Sequence, residues 1–312
     1  MGIKSVLLLS AFASLCIFSC KSRGGRHHSA TDKKYHLSLH LPPGSKYYYT
    51  ITNQMQTVAE ANGKSVNNNN QSEIGLIYEV LNNAADTILL KVTYDKLNFN
   101  LKSNNQEQQM DASNSIHTLD PVEKLLGTIR GKSIQITLTE KGDIVNVSGT
   151  KEITDTILKA VNAQDAYIKN TLRDQMAKLV GDEFIRNNLQ YQFRFFPDTA
   201  IYIGDSWSKA ASPTSEIKTD AVTKYTLADV NGNTAEVAAA SEMSGSSTTT
   251  LMGSEVQANL EGTQKGTYEA DITTGLLMKG KSTTSMEGII QLMGREVPVK
   301  IVISKQMATK KL

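Results

Sequence analysis

The chain has 312 residues and a formal net charge of +2, from 33 basic and 31 acidic side chains. So even a balance sets up no bulk field toward nucleic acid or acidic substrates, and the length allows one large core or two modest ones. Cysteine occurs only at Cys16 and Cys20, so the body of the chain has no disulfide staple and depends on an ordinary core.

Residues 1–19 read as a secretory signal. Lys4 supplies the positive charge, and the apolar run 6–18 is too short to span a bilayer, which takes roughly 17–25 residues. The run closes on Ile17, Phe18, Ser19 and Cys20. A small residue directly before a cysteine, with an aliphatic residue at minus three, resembles the lipobox of bacterial lipoproteins. The resemblance implies cleavage before Cys20, diacylation of its sulfur and a further acyl chain, such as palmitate, on the new amino terminus. At about 0.8 kcal/mol per buried CH₂, two or three chains hold a protein to a membrane essentially permanently. Residues 20–34 then form a lipidated flexible tether, with Gly24, Gly25, His27, His28 and several basic side chains but almost nothing apolar. Its basic residues either remain solvated or touch anionic headgroups.

Order is expected from Tyr35. Tyr35, Leu37, Leu39 and Leu41 alternate with His36, Ser38 and His40, the period of a half-buried strand, and Pro42, Pro43 and Gly44 end it. Residues 47–58 and 74–81 read as strands joined through a polar, Asn-rich hairpin tip at 62–71. Residues 87–101 form a long strand with a bulge expected near Asp95 and Lys96. The polar stretch 104–114 is expected to be a mobile loop. Asp120 and Pro121 signal a helix start, and Gly131 its stop. Residues 133–138 and 144–147 pair as a hairpin about Lys141, Gly142 and Asp143.

The period then changes. Ile153, Ile157, Val161, Ile168, Leu172, Met176 and Leu179 recur at three- and four-residue steps, an amphipathic helix closed by Gly181, with Thr150 as its N-cap. Residues 182–189 predict a second short helix, and Tyr191, Phe193 and Phe195 then alternate as in a strand. From Trp207 onward, strands are expected at 222–227, 234–240, 246–251, 256–268, 276–286 and 296–307. Tight turns at Gly232, Gly275 and Gly294 make this an antiparallel meander. A weak internal echo joins the halves. Gly44 and Gly204 each precede an aromatic that opens a strand, at Tyr47 and Trp207, and a late hairpin turn occurs at Gly142 and at Gly275.

Residues with catalytic chemistry are sparse. His27 and His28 lie in the tether. His36 and His40 would sit about 13 Å apart on a strand, too far to share a zinc ion. His117 is the last histidine, so a Ser-His-Asp arrangement would have to reach back to it. The stretch from Asp229 to Asn233 begins like a calcium loop but has Thr234 and Ala240 where Gly and Glu are required, so it reads as a hairpin tip. Asp165, Asp182 and Glu183 stand beside Lys159, Lys169 and Lys178 as a solvated charged face. The sequon at Asn146 is a match by pattern only. The aromatic runs at Tyr47, Tyr48, Tyr49 and around Tyr191, Phe193, Phe195 and Phe196, together with Trp207, either fill a core or line an apolar pocket.

The lipobox, the segment from Phe196, Pro197 and Asp198 to Gly204, Asp205, Ser206 and Trp207, and the turn from Asp271 to Leu276 together resemble an uncharacterised family of Gram-negative bacterial lipoproteins built around a domain of unknown function. The resemblance implies no reaction, ligand or catalytic residue. In such lipoproteins Lys21, in place of an inner-membrane-retaining aspartate, implies the outer membrane. The expected fold is α+β: mostly antiparallel curved β-sheet, in a first β-rich half at 35–149 and a second at 191–312, with a central helical segment at 150–190 packed against it. A looser similarity to lipoprotein-carrier half-barrels implies a concave apolar face. The functional expectation is a lipid-anchored, non-enzymatic binding module for an apolar ligand or an envelope protein, with Cys20 as its lipidation site. It uses no cofactor or metal, binds no nucleic acid and touches the membrane through its lipid. The alternatives are an envelope hydrolase with Asp/Glu acid-base chemistry and a purely structural envelope protein.

Overall fold

The computed structural model describes residues 33–312 except 62, 85, 105, 115–120, 161–172, 174–180, 212–218, 252–253 and 293. The expected signal, Cys20, His27, His28, His117, Asp165 and much of the 150–190 helical run lie outside the described residues. The strands are β1 (Lys46–Ala61), β2 (Lys64–Ala84), β3 (Thr87–Ser103), β4 (Gln106–Asp111), β5 (Ser133–Thr139) and β6 (Ile144–Ser148). They continue as β7 (Ser206–Ala211), β8 (Thr219–Asn231), β9 (Thr234–Leu251), β10 (Ser254–Asp271), β11 (Leu277–Leu292) and β12 (Arg295–Lys311). The helices are α1 (Pro121–Ile129), α2 (Thr150–Ala160) and α3 (Asp182–Phe193).

The strands form one antiparallel twelve-stranded sheet in the order β6-β5-β3-β2-β1-β12-β11-β10-β9-β8-β7, with β4 on the far half of β3. The α+β expectation is therefore corrected: the protein is essentially all-β. The helical period at 150–160 and from 182 is real, but the helices described there hold 11 and 12 residues against a sheet of twelve strands. The two expected halves share one sheet because β1 pairs with β12, from Tyr47 opposite Lys311 to Ala59 opposite Val299.

Local corrections share one cause. The Asn-rich run at 67–71 lies inside β2, and its turn sits at Gly63. The expected loop at 104–114 contains β4, and β9 runs unbroken through 241–245, joining the strands expected at 234–240 and 246–251. Far from the core both faces of a strand meet water, so pairing holds it without any apolar alternation to reveal it. The expected strand through Tyr191 and Phe193 is the last turn of α3. The internal echo is structural as well. Gly44 N–H donates to the Val80 carbonyl, and the Val80 amide donates back to Ser45. In the second half Gly204 and Asp205 make the same exchange with Leu227.

The sheet is tightly curled at one end. Laid flat, its edges β6 and β7 would stand about 48 Å apart, at ~4.8 Å per strand step. Yet adjacent residues reach both: Arg194 Nε pairs with Asp143 beside β6 at 2.9 Å, and the Phe195 carbonyl accepts Trp207 Nε1–H of β7 at 2.6 Å. The extended segment 35–41 plugs this end. Tyr35 bridges Ile201, Leu39 N–H donates to the Glu140 carbonyl, and His40 N–H donates to that of Thr274. Leu37, Leu39 and Leu41 are buried inward, as their alternation predicted. They join Tyr47, Tyr49, Tyr78, Ile88, Leu90, Ile136, Phe193, Leu227 and Val237 in one core.

Candidate functional site

The core fills the curled end and stops partway up the sheet. Beyond it the inward positions continue toward an open end. Ile51, Met55, Phe99, Met243, Ile301 and Ile303 are only half-buried there, interspersed with uncharged polar side chains such as Asn70, Ser241, Gln264 and Thr284, so apolar surface on the upper inner face stays partly exposed. A small second cluster of Leu260, Met286 and Val299 lies near the rim. The outward positions carry charges, among them Lys46, Glu73, Lys224, Glu261, Lys281 and Lys300. A charged outer face is the reverse of a membrane-spanning barrel, whose apolar band faces lipid.

One row of the register marks the boundary between filled core and open face. It runs from Ser72 and Asn53 through Lys305, Ser282, Gly266 and Ala239 to Tyr225 and Trp207. Lys305 stands at its centre on β12. The strand alternates Val299, Ile301, Ile303, Lys305, Met307 and Thr309 on the inner side, so the lysine occupies an apolar-phase position. The residue as a whole is half-buried. It makes no hydrogen bond or ion pair among the described residues, and burial holds its pKa below the ordinary lysine value. Across β1, β2 and β8 to β12, every Asp and Glu falls on an outward position of the register. The inward Lys209 of β7 is already held by Asp198 at 2.8 Å.

The surroundings of Lys305 are polar without being charged. Asn53 and Ser282 flank it across the ladders, and Asn53 Nδ2 also approaches Ser72 Oγ at 3.4 Å. One row toward the core, the Tyr268 ring lies against Gly280, where a Cβ would collide with it. Tyr49 stacks on Tyr78 with ring centroids 5.5 Å apart, and its hydroxyl reaches Met307 Sδ at 3.7 Å. Burial raises the Tyr49, Tyr78 and Tyr268 pKa values, so these phenols stay neutral.

The core reading of the aromatic runs holds for most of them. Tyr47, Tyr49, Phe193, Phe195 and Phe196 are core residues, whereas Tyr48 points outward and donates to Asp95 at 2.9 Å. Trp207 and Tyr225 stack at 5.7 Å on the half-buried inner wall. His36 and His40 are exposed on extended chain. Asp182 accepts a hydrogen bond from the Thr150 hydroxyl, and Asp229 caps the β8–β9 turn through the Val230 amide. A hollow of about 1620 Å³ opens on the outer face, where Asp220, Glu242, Glu261, Glu287 and Glu296 line it. Among the described residues, no group of three or more His, Cys, Asp or Glu is placed to hold a metal. Lys305 is the site residue that sequence reasoning missed. The signal was a lysine in the apolar phase of an alternating strand.

The protein is thus an all-β, half-open antiparallel barrel with an unpaired cation on its inner wall. The model described as "Family of unknown function (DUF6263)" matches residues 85–277, well over half of the chain, and the chain belongs to that family. No curated protein is significantly similar in sequence. Among solved structures, one titled for lipid–protein interactions in lipovitellin is similar at a TM-score of 0.50 and 13% identity, over 87% of this chain and 25% of that one. The chain therefore spans about a quarter of that protein's length, and the likeness speaks to the fold alone. An outer membrane channel from Pseudomonas putida F1 matches at a TM-score of 0.20 and 9% identity, over 87% of this chain and 97% of that one. The translocator domain of autotransporter NalP from Neisseria meningitidis matches at 0.20 and 8%, over 86% and 90%. At that score neither carries an argument.

Proposed function

We propose that the protein is a lipid-anchored, non-enzymatic binding module of the cell envelope, and that its half-open barrel holds an apolar ligand. The observation that carries the reading is the partly exposed apolar side chains of the inner face. Ile51, Met55, Phe99, Ile301 and Ile303 sit inward yet only half-buried, beneath a charged outer face. Apolar surface left open in a concave wall is the usual property of a ligand site. Anchoring rests on Cys20 and its lipobox-like context, with the outer membrane as the compartment that Lys21 favours. Native mass spectrometry of protein taken from its own cells tests the binding reading. A co-purifying apolar molecule supports it, and a uniformly empty protein that also takes up no added lipid refutes it. Labelling cells with palmitate tests the anchor: label on the wild type and none on Cys20→Ala is the expected result.

A further inference from the structure

We propose that Lys305 receives the head of an anionic amphiphile: the barrel takes a single-chain carboxylic acid, with its carboxylate on the Lys305 ammonium and its tail along the inner face toward the open end. This rests on the binding reading above and narrows it to a ligand class. An ammonium drawn partway into a packed wall loses part of its hydration, and a counter-charge that meets it makes up the loss. Neither the described inner wall nor its neighbours supply one, since Asp and Glu on the strands around Lys305 point outward and Asp198 is committed to Lys209. Among the described residues no counter-charge is left for it, so a bound anion is the partner that fits. One unpaired cation matches one negative charge. Asn53 stands directly across the β1–β12 ladder from Lys305, and its amide is the donor offered to a second oxygen of the same head, while Ser282 bonds to Tyr268.

The position also sets the ligand's direction. On the core side Met307 and Tyr268 close the floor. Toward the rim, Ile303, Ile301 and Val299 continue up β12, and Met55 and Met286 stand beside them on β1 and β11. Six residues of strand span about 20 Å, enough for the extended tail of an ordinary fatty acid. A doubly charged alkyl phosphate in the same place would leave one charge unmatched.

The test uses the full chain in nanodiscs of phosphatidylcholine, with displacement of the neutral apolar dye Nile red as the readout. Palmitate should displace the dye at a concentration about tenfold or more below that of palmityl alcohol, the value of one charge-assisted contact. In Lys305→Met that preference should vanish, and in Lys305→Arg it should persist. Comparing acid-to-alcohol ratios between proteins cancels partition of the ligands into the bilayer. Thermal melts of both variants keep misfolding from imitating the result. Equal displacement by acid and alcohol in the wild type overturns this proposal while leaving apolar binding intact. An unchanged preference in Lys305→Met also overturns it, as does a preference for dodecyl phosphate over palmitate. If no amphiphile displaces the dye and none co-purifies, the binding reading itself has failed.

Discussion

Replacing Lys305 by methionine should make the ligand-free protein more stable. The side chains are similar in length, and the methionine thioether suits the row between Ile303 and Met307 without bringing a charge. Leaving a buried polar group uncompensated costs about 1–3 kcal/mol, and more when it is charged. In a chain of this size each kcal/mol moves the melting temperature by about 2 °C. A gain of roughly 2–6 °C is expected at pH 7 by that scaling. The pH dependence identifies the cause. Burial holds the folded-state pKa of Lys305 below its unfolded value, so between the two the unfolded chain binds more protons and stability rises with pH. The penalty is complete below that window and gone above it, so the gap between variant and wild type should narrow as pH approaches 10. The groups beside Lys305 are Asn53 and Ser282, with the phenols of Tyr268 and Tyr49 toward the core, and no carboxylate falls on a described inward position of β1, β2 or β8 to β12. The phenols are common to both proteins and cancel in the comparison. Differential scanning calorimetry at several pH values is the assay. A variant that melts below the wild type, or a gap that does not change with pH, would mean that the ammonium is already compensated. A site kept at a cost to stability is what a binding role requires.

Three further outcomes check the architecture. Gly142→Ala should cost about 2–4 kcal/mol in chemical denaturation, because φ is +82° and a Cβ there would strike the Phe193 carbonyl, prising the β5–β6 turn from α3. Trp207→Phe keeps the stack on Tyr225 but loses the bond to the Phe195 carbonyl; a loss of about 1–2 kcal/mol is expected, and an unchanged midpoint would argue against that bond as an edge tie. In a spectrophotometric titration, Tyr48 and Tyr94, both raised to about 12 chiefly by burial, should ionise late. Tyr49 and Tyr78 are pushed up further. Above pH 10 the folded state therefore holds more protons than the unfolded chain, and stability should fall as pH rises.

Much of the strand grammar was legible in the chain. The hairpin at Gly142, the helix start at Pro121 and the inward burial of Leu37, Leu39 and Leu41 all follow from local pattern. So does the paired use of Gly44 and Gly204, because a turn that needs a positive φ takes glycine wherever it occurs. The polar strand β4, the outer half of β2 and the 241–245 stretch of β9 were not legible, since strands wet on both faces leave no hydrophobic period.

The alternation of β12 set which side of that strand Lys305 occupies, and the amino-acid order alone determined it. What lies opposite was decided by tertiary structure. Nothing in residues 47–59 specifies pairing with 299–311, because backbone hydrogen bonds are blind to sequence and many registers satisfy them equally. Only when β1 meets β12, and α3 ties both edges of the curled sheet, does the inner wall become concave. That closure gathers the apolar faces of distant strands around one lysine and turns a lapse in a hydrophobic pattern into a site.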